Sequence, residues 1–116
     1  MDASSVALVQ GFYFALTGIW PLIHIRSFQL VTGPKRDLWL VKTVGVVITA
    51  IGAGLIVAGW NKYTNLPVTV IAIGSAAGLA GIDIVYALKK IISSIYLLDA
   101  VAEAALIVWW LTALYL

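Results

Sequence analysis

Cysteine is absent from the 116 residues, His and Met each occur once, and Asp, Glu, Lys and Arg together make up only 10% of the chain. Without thiols there can be no disulfide framework, no iron–sulfur cluster and no cysteine nucleophile. A single His with no Cys offers no metal-ligating set, so neither a metal nor another cofactor is expected. Soluble domains carry roughly a quarter charged residues, and so few charges cannot cover a water-facing surface. Soluble nucleotide-binding and nucleic-acid-binding modules are thereby excluded, and nucleic acid is not an expected partner. Phosphate-cradling loops, a Gly-x-Ser-x-Gly elbow and a His-Glu-x-x-His helix are missing as well. Ser75 stands among small residues with no base beside it and is no credible nucleophile.

What the chain does have is apolar surface: 63% of its residues are hydrophobic. A membrane-crossing helix takes roughly 20 apolar residues, so four crossings exhaust the chain as a single domain over residues 1–116. The expectation is an all-α integral membrane protein, a four-helix bundle of antiparallel up-down topology. The apolar runs place the spans at about residues 6–23, 38–60, 67–88 and 94–115. Nothing before the first run resembles the basic start and cleavage site of a secretory signal, so that run is expected to remain as a span. Pro21 should kink or unwind the chain through Leu22, Ile23 and His24. Thr32-Gly33-Pro34-Lys35-Arg36-Asp37 has turn chemistry, with Asp37 expected to cap the second span through its carboxylate. Pro67 suits the first turn of the third.

Basic residues set orientation in short loops. The first and third loops hold Arg26, Lys35, Arg36, Lys89 and Lys90, whereas the second holds Lys62 alone. That bias puts the first and third loops in the cytoplasm and both termini on the non-cytoplasmic side, as in a bacterial-type inner membrane. Trp39, Tyr86 and Tyr96 then form one aromatic belt, and Trp60, Tyr63, Trp109, Trp110 and Tyr115 the other.

Small residues recur along two spans: Ala50, Gly54 and Ala58 on the second; Gly74, Ala77, Gly78 and Gly81 on the third. Such stripes let backbones approach closely in lipid. Their expected use is packing of the second span against the third, with dimerisation through the same stripes as the alternative.

Under this topology several ionisable residues share the cytoplasmic half. At 1.5 Å per residue, Lys42, Asp83 and Asp99 lie about 5–10 Å below the boundary and Glu103 roughly 12–15 Å below it. Asp99 and Glu103, four positions apart, project from one side of their helix. Two such acids either keep a proton between them or need a nearby cation, and Lys42 is the candidate. The candidate ligand- or proton-binding set is therefore Glu103, Asp99, Asp83 and Lys42, with His24 and Arg26 at the entrance. A purely architectural ion-paired knot would use the same residues. Phe12, Tyr13, Phe14 and Trp20 could wall a hydrophobic ligand, although helical spacing also suits core or lipid-facing positions.

The functional expectation is binding or transport of a small ligand or ion, proton-coupled, at a polar pocket on the cytoplasmic side. The chief alternative is a non-catalytic accessory or assembly subunit of a larger membrane complex. A membrane enzyme acting on a lipophilic substrate stands third. Expected partners are the lipid bilayer and either a second copy or a larger complex.

Overall fold

A computed structural model describes residues 2–115, apart from the side chain of Tyr115, whose expected place in an aromatic belt lies outside the described residues. The described residues form five helices: α1 (Ala3–Ile23), α2 (Ile25–Thr32), α3 (Leu38–Trp60), α4 (Leu66–Leu88) and α5 (Tyr96–Tyr115). There is no strand among the described residues. Four of the five are long and apolar enough to cross a membrane. Large side chains such as Val46, Val57, Val70 and Ile71 point outward, a surface that water would not tolerate but acyl chains would.

Local signals account for most helix ends. Asp2 caps α1, its carboxylate accepting from the Ser5 backbone N–H at 3.1 Å and from the Ser5 hydroxyl at 3.1 Å. Asn65 caps α4 by accepting from the Val68 N–H at 3.1 Å, with Pro67 in the first turn, where its missing N–H leaves no bond unmade. Asp37 does occupy the N-cap of α3, but its side chain makes no capping bond, contrary to expectation; its ψ of 80° is not the extended value that aims a cap side chain at the first amides. Both α3 and α4 end by wrapping a later amide back onto the helix. Tyr63 N–H bonds Ala58 C=O at 2.8 Å and Ile91 N–H bonds Tyr86 C=O at 2.9 Å. The turn places Lys62 (φ 55°) and Lys90 (φ 60°) in the left-handed region that glycine usually fills.

Pro21 is accommodated inside α1, and the helix breaks three residues later at His24, whose φ of −143° and ψ of 80° are not helical. His24 then starts α2, its Nδ1 accepting from the Ser27 N–H at 3.2 Å. The stretch expected to be a plain loop thus contains a short helix. Trp20 holds it down, donating from Nε1 to the Ser27 hydroxyl at 2.8 Å and meeting the Phe28 ring edge-on at 5.4 Å.

The tightest helix pair is α1 with α3, and it is built on glycine. Gly45, Gly52 and Gly59 recur every seven residues on α3, as Gly11 and Gly18 do on α1. A seven-residue repeat returns to nearly one face of a helix. The two faces meet antiparallel: a Cβ added at Gly45 would lie 2.6 Å from Gly18 O, one at Gly52 2.6 Å from Ala15 N, and one at Gly59 2.8 Å from Ser4 O. Backbone therefore touches backbone, which raises dispersion contact where no hydrophobic effect operates between helices.

This corrects the expected packing of α3 on α4. Those helices meet only marginally, and a Cβ added at Gly54, Gly74, Gly78 or Gly81 would find nothing within 4 Å. Ala50 and Ala77 are exposed too, and only Ala58 of the α3 stripe is buried. The reason is angular. Gly54 lies nine residues from Gly45, half a turn away from the glycine face that α1 occupies.

The second close pair is α4 with α5, and α1 joins the pairs. Their seam is well filled at one end, where Val6, Ala7, Leu55, Ala72, Leu106 and Trp110 form the core. Gln10, fully buried, closes this end: its Nε2 donates to Ala72 C=O at 2.9 Å, and its Oε1 accepts from Trp110 Nε1 at 2.7 Å. One side chain so ties three helices together. Towards the other end, where α2 and the α4–α5 loop lie, the two pairs enclose a void.

Candidate functional site

The void is a cavity of about 480 Å³, within the roughly 300–1,000 Å³ of small-molecule sites. From α1 it receives Tyr13, Phe14, Thr17 and Trp20; from α4, Leu79, Ile82 and Asp83; from α5, Tyr96, Leu98, Asp99 and Glu103. Val41, Val44 and Ile48 of α3 complete the side wall, and Phe28, Val31, Thr32 and Lys35 of α2 and its following loop lie across one end with Ile92 and Ile95. Aromatic and branched aliphatic groups thus make up most of the wall.

Its polar part is a cluster of carboxyl groups. Asp99 accepts a short hydrogen bond from the Tyr13 hydroxyl, which joins α5 to α1. Asp83 joins the same wall from α4. Glu103, one turn further along α5, is wholly buried, and both of its carboxyl oxygens lack a hydrogen-bond partner. Oδ2 of Asp83 is likewise buried and without a partner. Unmet buried oxygens are uncommon in folded proteins and call for an occupant or a function.

Among the described residues no Lys, Arg or His answers these acids. Lys42 is exposed and does not line the cavity. His24 and Arg26 are exposed as well, His24 engaged in starting α2, and neither lines the cavity. The single basic residue in the wall is Lys35, which the sequence reading had treated as a topology signal. Its ammonium group donates to Thr32 C=O at 3.1 Å, Thr32 Oγ1 at 3.3 Å and Gly33 C=O at 3.0 Å. It also lies 5.0 Å from the Tyr96 ring centre and 5.8 Å from that of Phe28. Lys35 is thus saturated within its own loop and the aromatic rings.

Of the six expected site residues, the fold brings Asp83, Asp99 and Glu103 to one chamber and leaves Lys42, His24 and Arg26 outside it. It adds Tyr13, Thr17 and Lys35. The first helix, expected only to offer a possible aromatic wall, contributes both a polar partner and that wall. Tyr13, Phe14, Thr17 and Trp20 follow one another at spacings of one, three and three, a pattern that marks one face of α1, but nothing in the sequence alone says which helix that face meets. Among the described residues no group of three or more His, Cys, Asp or Glu is arranged to hold a metal ion.

Compared with known protein families, with curated proteins and with solved structures, the chain matches none.

Proposed function

We propose that this protein is a four-helix membrane bundle that binds a small ligand in the α1–α4–α5 cavity and carries it across the bilayer in exchange for protons. The observation that carries the reading is Glu103: a carboxyl group with no exposed surface and no hydrogen-bond partner, set in the wall of a ligand-sized cavity. Ionisable residues inside a membrane are expensive and mark ligand or ion paths more often than scaffolding. An ion-paired scaffold would need a cation against these acids, and Lys42, His24, Arg26 and Lys35 are all engaged elsewhere or turned away. The first and third loops, with Arg26, Lys35, Arg36, Lys89 and Lys90 against Lys62 in the second, are assigned to the cytoplasm of a bacterial-type inner membrane, with both termini outside. The cavity then opens towards the cytoplasm.

The test uses protein reconstituted in liposomes with a pH-sensitive dye inside, challenged with a panel of small amines, acids and neutral solutes. A solute that dissipates an imposed pH gradient through the wild type should fail to do so through Glu103→Gln, while circular dichroism shows the variant folded. A flux unaltered by Glu103→Gln would refute the assignment.

A second reading has its own observation. Ala50 and Gly54 on α3, and Gly74, Ala77, Gly78 and Gly81 on α4, form outward-facing stripes of small residues with no helix of this chain against them. Stripes of this kind suit a helix of another subunit, as in an accessory or assembly subunit. Stoichiometric copurification with larger membrane proteins in a mild detergent would favour that role.

A further inference from the structure

Resting on the reading of the cavity as a ligand site, we propose that its ligand is an organic monocation: an ammonium group carried on an apolar, aromatic-sized body. Three features of the chamber converge on this class.

The first is an uncompensated charge. Glu103 is wholly buried with both oxygens unpartnered, Asp83 buries a further free oxygen, and Asp99, in the same wall, accepts from the Tyr13 hydroxyl. The titratable groups that share the chamber with Glu103 are Tyr13 from α1, Asp83 from α4, Asp99 and Tyr96 on its own helix, and Lys35 after α2. Of the donors in the wall, Tyr13, Thr17, Trp20 and Lys35 are each bonded to another acceptor, so the open oxygens of Glu103 and Asp83 suit a ligand that brings a donor. A buried carboxyl group is held either with its proton or beside a cation, and the cation must come from outside the chain.

The second is the wall. A hydrated inorganic ion would find few partners among Phe14, Trp20, Ile82 and Leu98, and the carboxyl groups are not arranged as a metal-ion site. The same wall suits the carbon body of an organic ligand, whose burial is favourable in proportion to area.

The third is Lys35. Its ammonium group sits over Tyr96 at 5.0 Å and Phe28 at 5.8 Å, both of which line the cavity. Aromatic faces attract ammonium groups; Lys35 already takes up these two rings and its charge repels a second cation, which directs the ligand's ammonium group to the acids and leaves this end to its apolar body.

The exchange is one for one: the monocation takes the place of the proton on Glu103, whose O–H bond breaks and whose proton goes to solvent, with no bond made or broken in the ligand.

Three probes of one body and different charge test the class: 4-phenylbutylammonium, 4-phenylbutanol and 4-phenylbutyrate. Each is titrated into the wild type in nanodiscs by isothermal calorimetry, with tryptophan fluorescence alongside, and empty nanodiscs subtract partitioning into lipid. The ammonium probe should bind at least about tenfold more tightly than the alcohol, the lower end of what a charge-assisted hydrogen bond contributes. The butyrate should not bind. Binding of the ammonium should release close to one proton, read in weak buffer, and Glu103→Gln should reduce the preference over the alcohol to within about threefold. Alcohol or butyrate binding as tightly as the ammonium would overturn the ligand class while leaving the cavity a binding site. Failure of all three probes would overturn the class, and the liposome flux assay would then decide the cavity reading separately. The comparison among probes is made on the wild type, so misfolding of the variant cannot rescue the proposal.

Discussion

Replacing Gly52 by alanine tests whether the α1–α3 glycine face holds the molecule together. The added methyl would stand 2.6 Å from Ala15 N, 2.7 Å from Gly11 O and 3.1 Å from Ala15 Cα. All three neighbours are backbone atoms, which cannot rotate aside, so the helices must part by several tenths of an ångström along their shared face. Overpacking of this kind costs about 1–3 kcal/mol, against which alanine regains roughly 0.5–1 kcal/mol over glycine in a helix interior. A net loss of about 1–2 kcal/mol follows, roughly five- to thirtyfold in the folding equilibrium. Gly78→Ala on α4 is the control, since its new methyl would meet nothing within 4 Å; it should be neutral or stabilising by up to about 1 kcal/mol. The assay is unfolding of each purified variant by increasing SDS mole fraction in mixed micelles, followed by far-ultraviolet circular dichroism. If Gly78→Ala proves as damaging as Gly52→Ala, close α1–α3 approach is not what the glycines provide, and the exposed α4 stripe is in contact with something in the micelle.

Three further outcomes are expected. Glu103→Met should raise resistance to SDS by about 1–3 kcal/mol, because it removes buried acceptors that nothing satisfies, while abolishing ammonium binding; a destabilised variant would instead mark the acid as architectural. Gln10→Leu and Trp110→Phe should each cost about 1–3 kcal/mol by stranding a buried polar partner, yet the double variant should be less damaging than their sum, as a double-mutant cycle on the same assay would show. At the N-terminus, the hydrogen bonds from the Ser5 amide and then the Ser5 hydroxyl hold the Asp2 carboxyl below the usual carboxylate range. Its cap is therefore fully in place above the ordinary carboxylate pKa and is lost as pH falls through the lowered folded-state value. Amide exchange in the first turn of α1 should accelerate in that acid window, and in Asp2→Ala should be fast on both sides of it.

Much of the fold was legible in one dimension because the bilayer imposes it. The lengths of the apolar runs, the polar breaks at Asn61–Asn65 and Lys89–Lys90, and Pro67 at a helix start bounded the spans to within about three residues, since backbone groups in lipid must bond within their own helix. The short helix α2 was hidden because eight residues, however one-sided in polarity, are too few to distinguish from the turn chemistry that follows them, and Trp20 pins it through Ser27 and Phe28 only once the chain has folded. The glycine repeat at 11, 18, 45, 52 and 59 stands in the sequence, but the denser stripe around Gly78 masks it, because spacings of three and four look more like a packing face than spacings of seven.

The carboxyl groups were found by sequence alone, for a physical reason: an acid within an apolar run is anomalous wherever the helix ends up. Which cation answers them could not be found that way. Lys42 shares their expected depth, but depth leaves rotation free, and only the docking of Gly45, Gly52 and Gly59 against α1 fixes the azimuth of α3 and turns Lys42 outward. Packing of α1 on α5 brings Tyr13 to Asp99, while Glu103 is left without a partner. Sequence by itself thus determined that the chain is apolar, helical and carries buried acids, since those depend on composition along each segment. Tertiary structure decided which faces meet, because helix rotation and pairing are set by the summed close contacts of whole faces and no single residue encodes them.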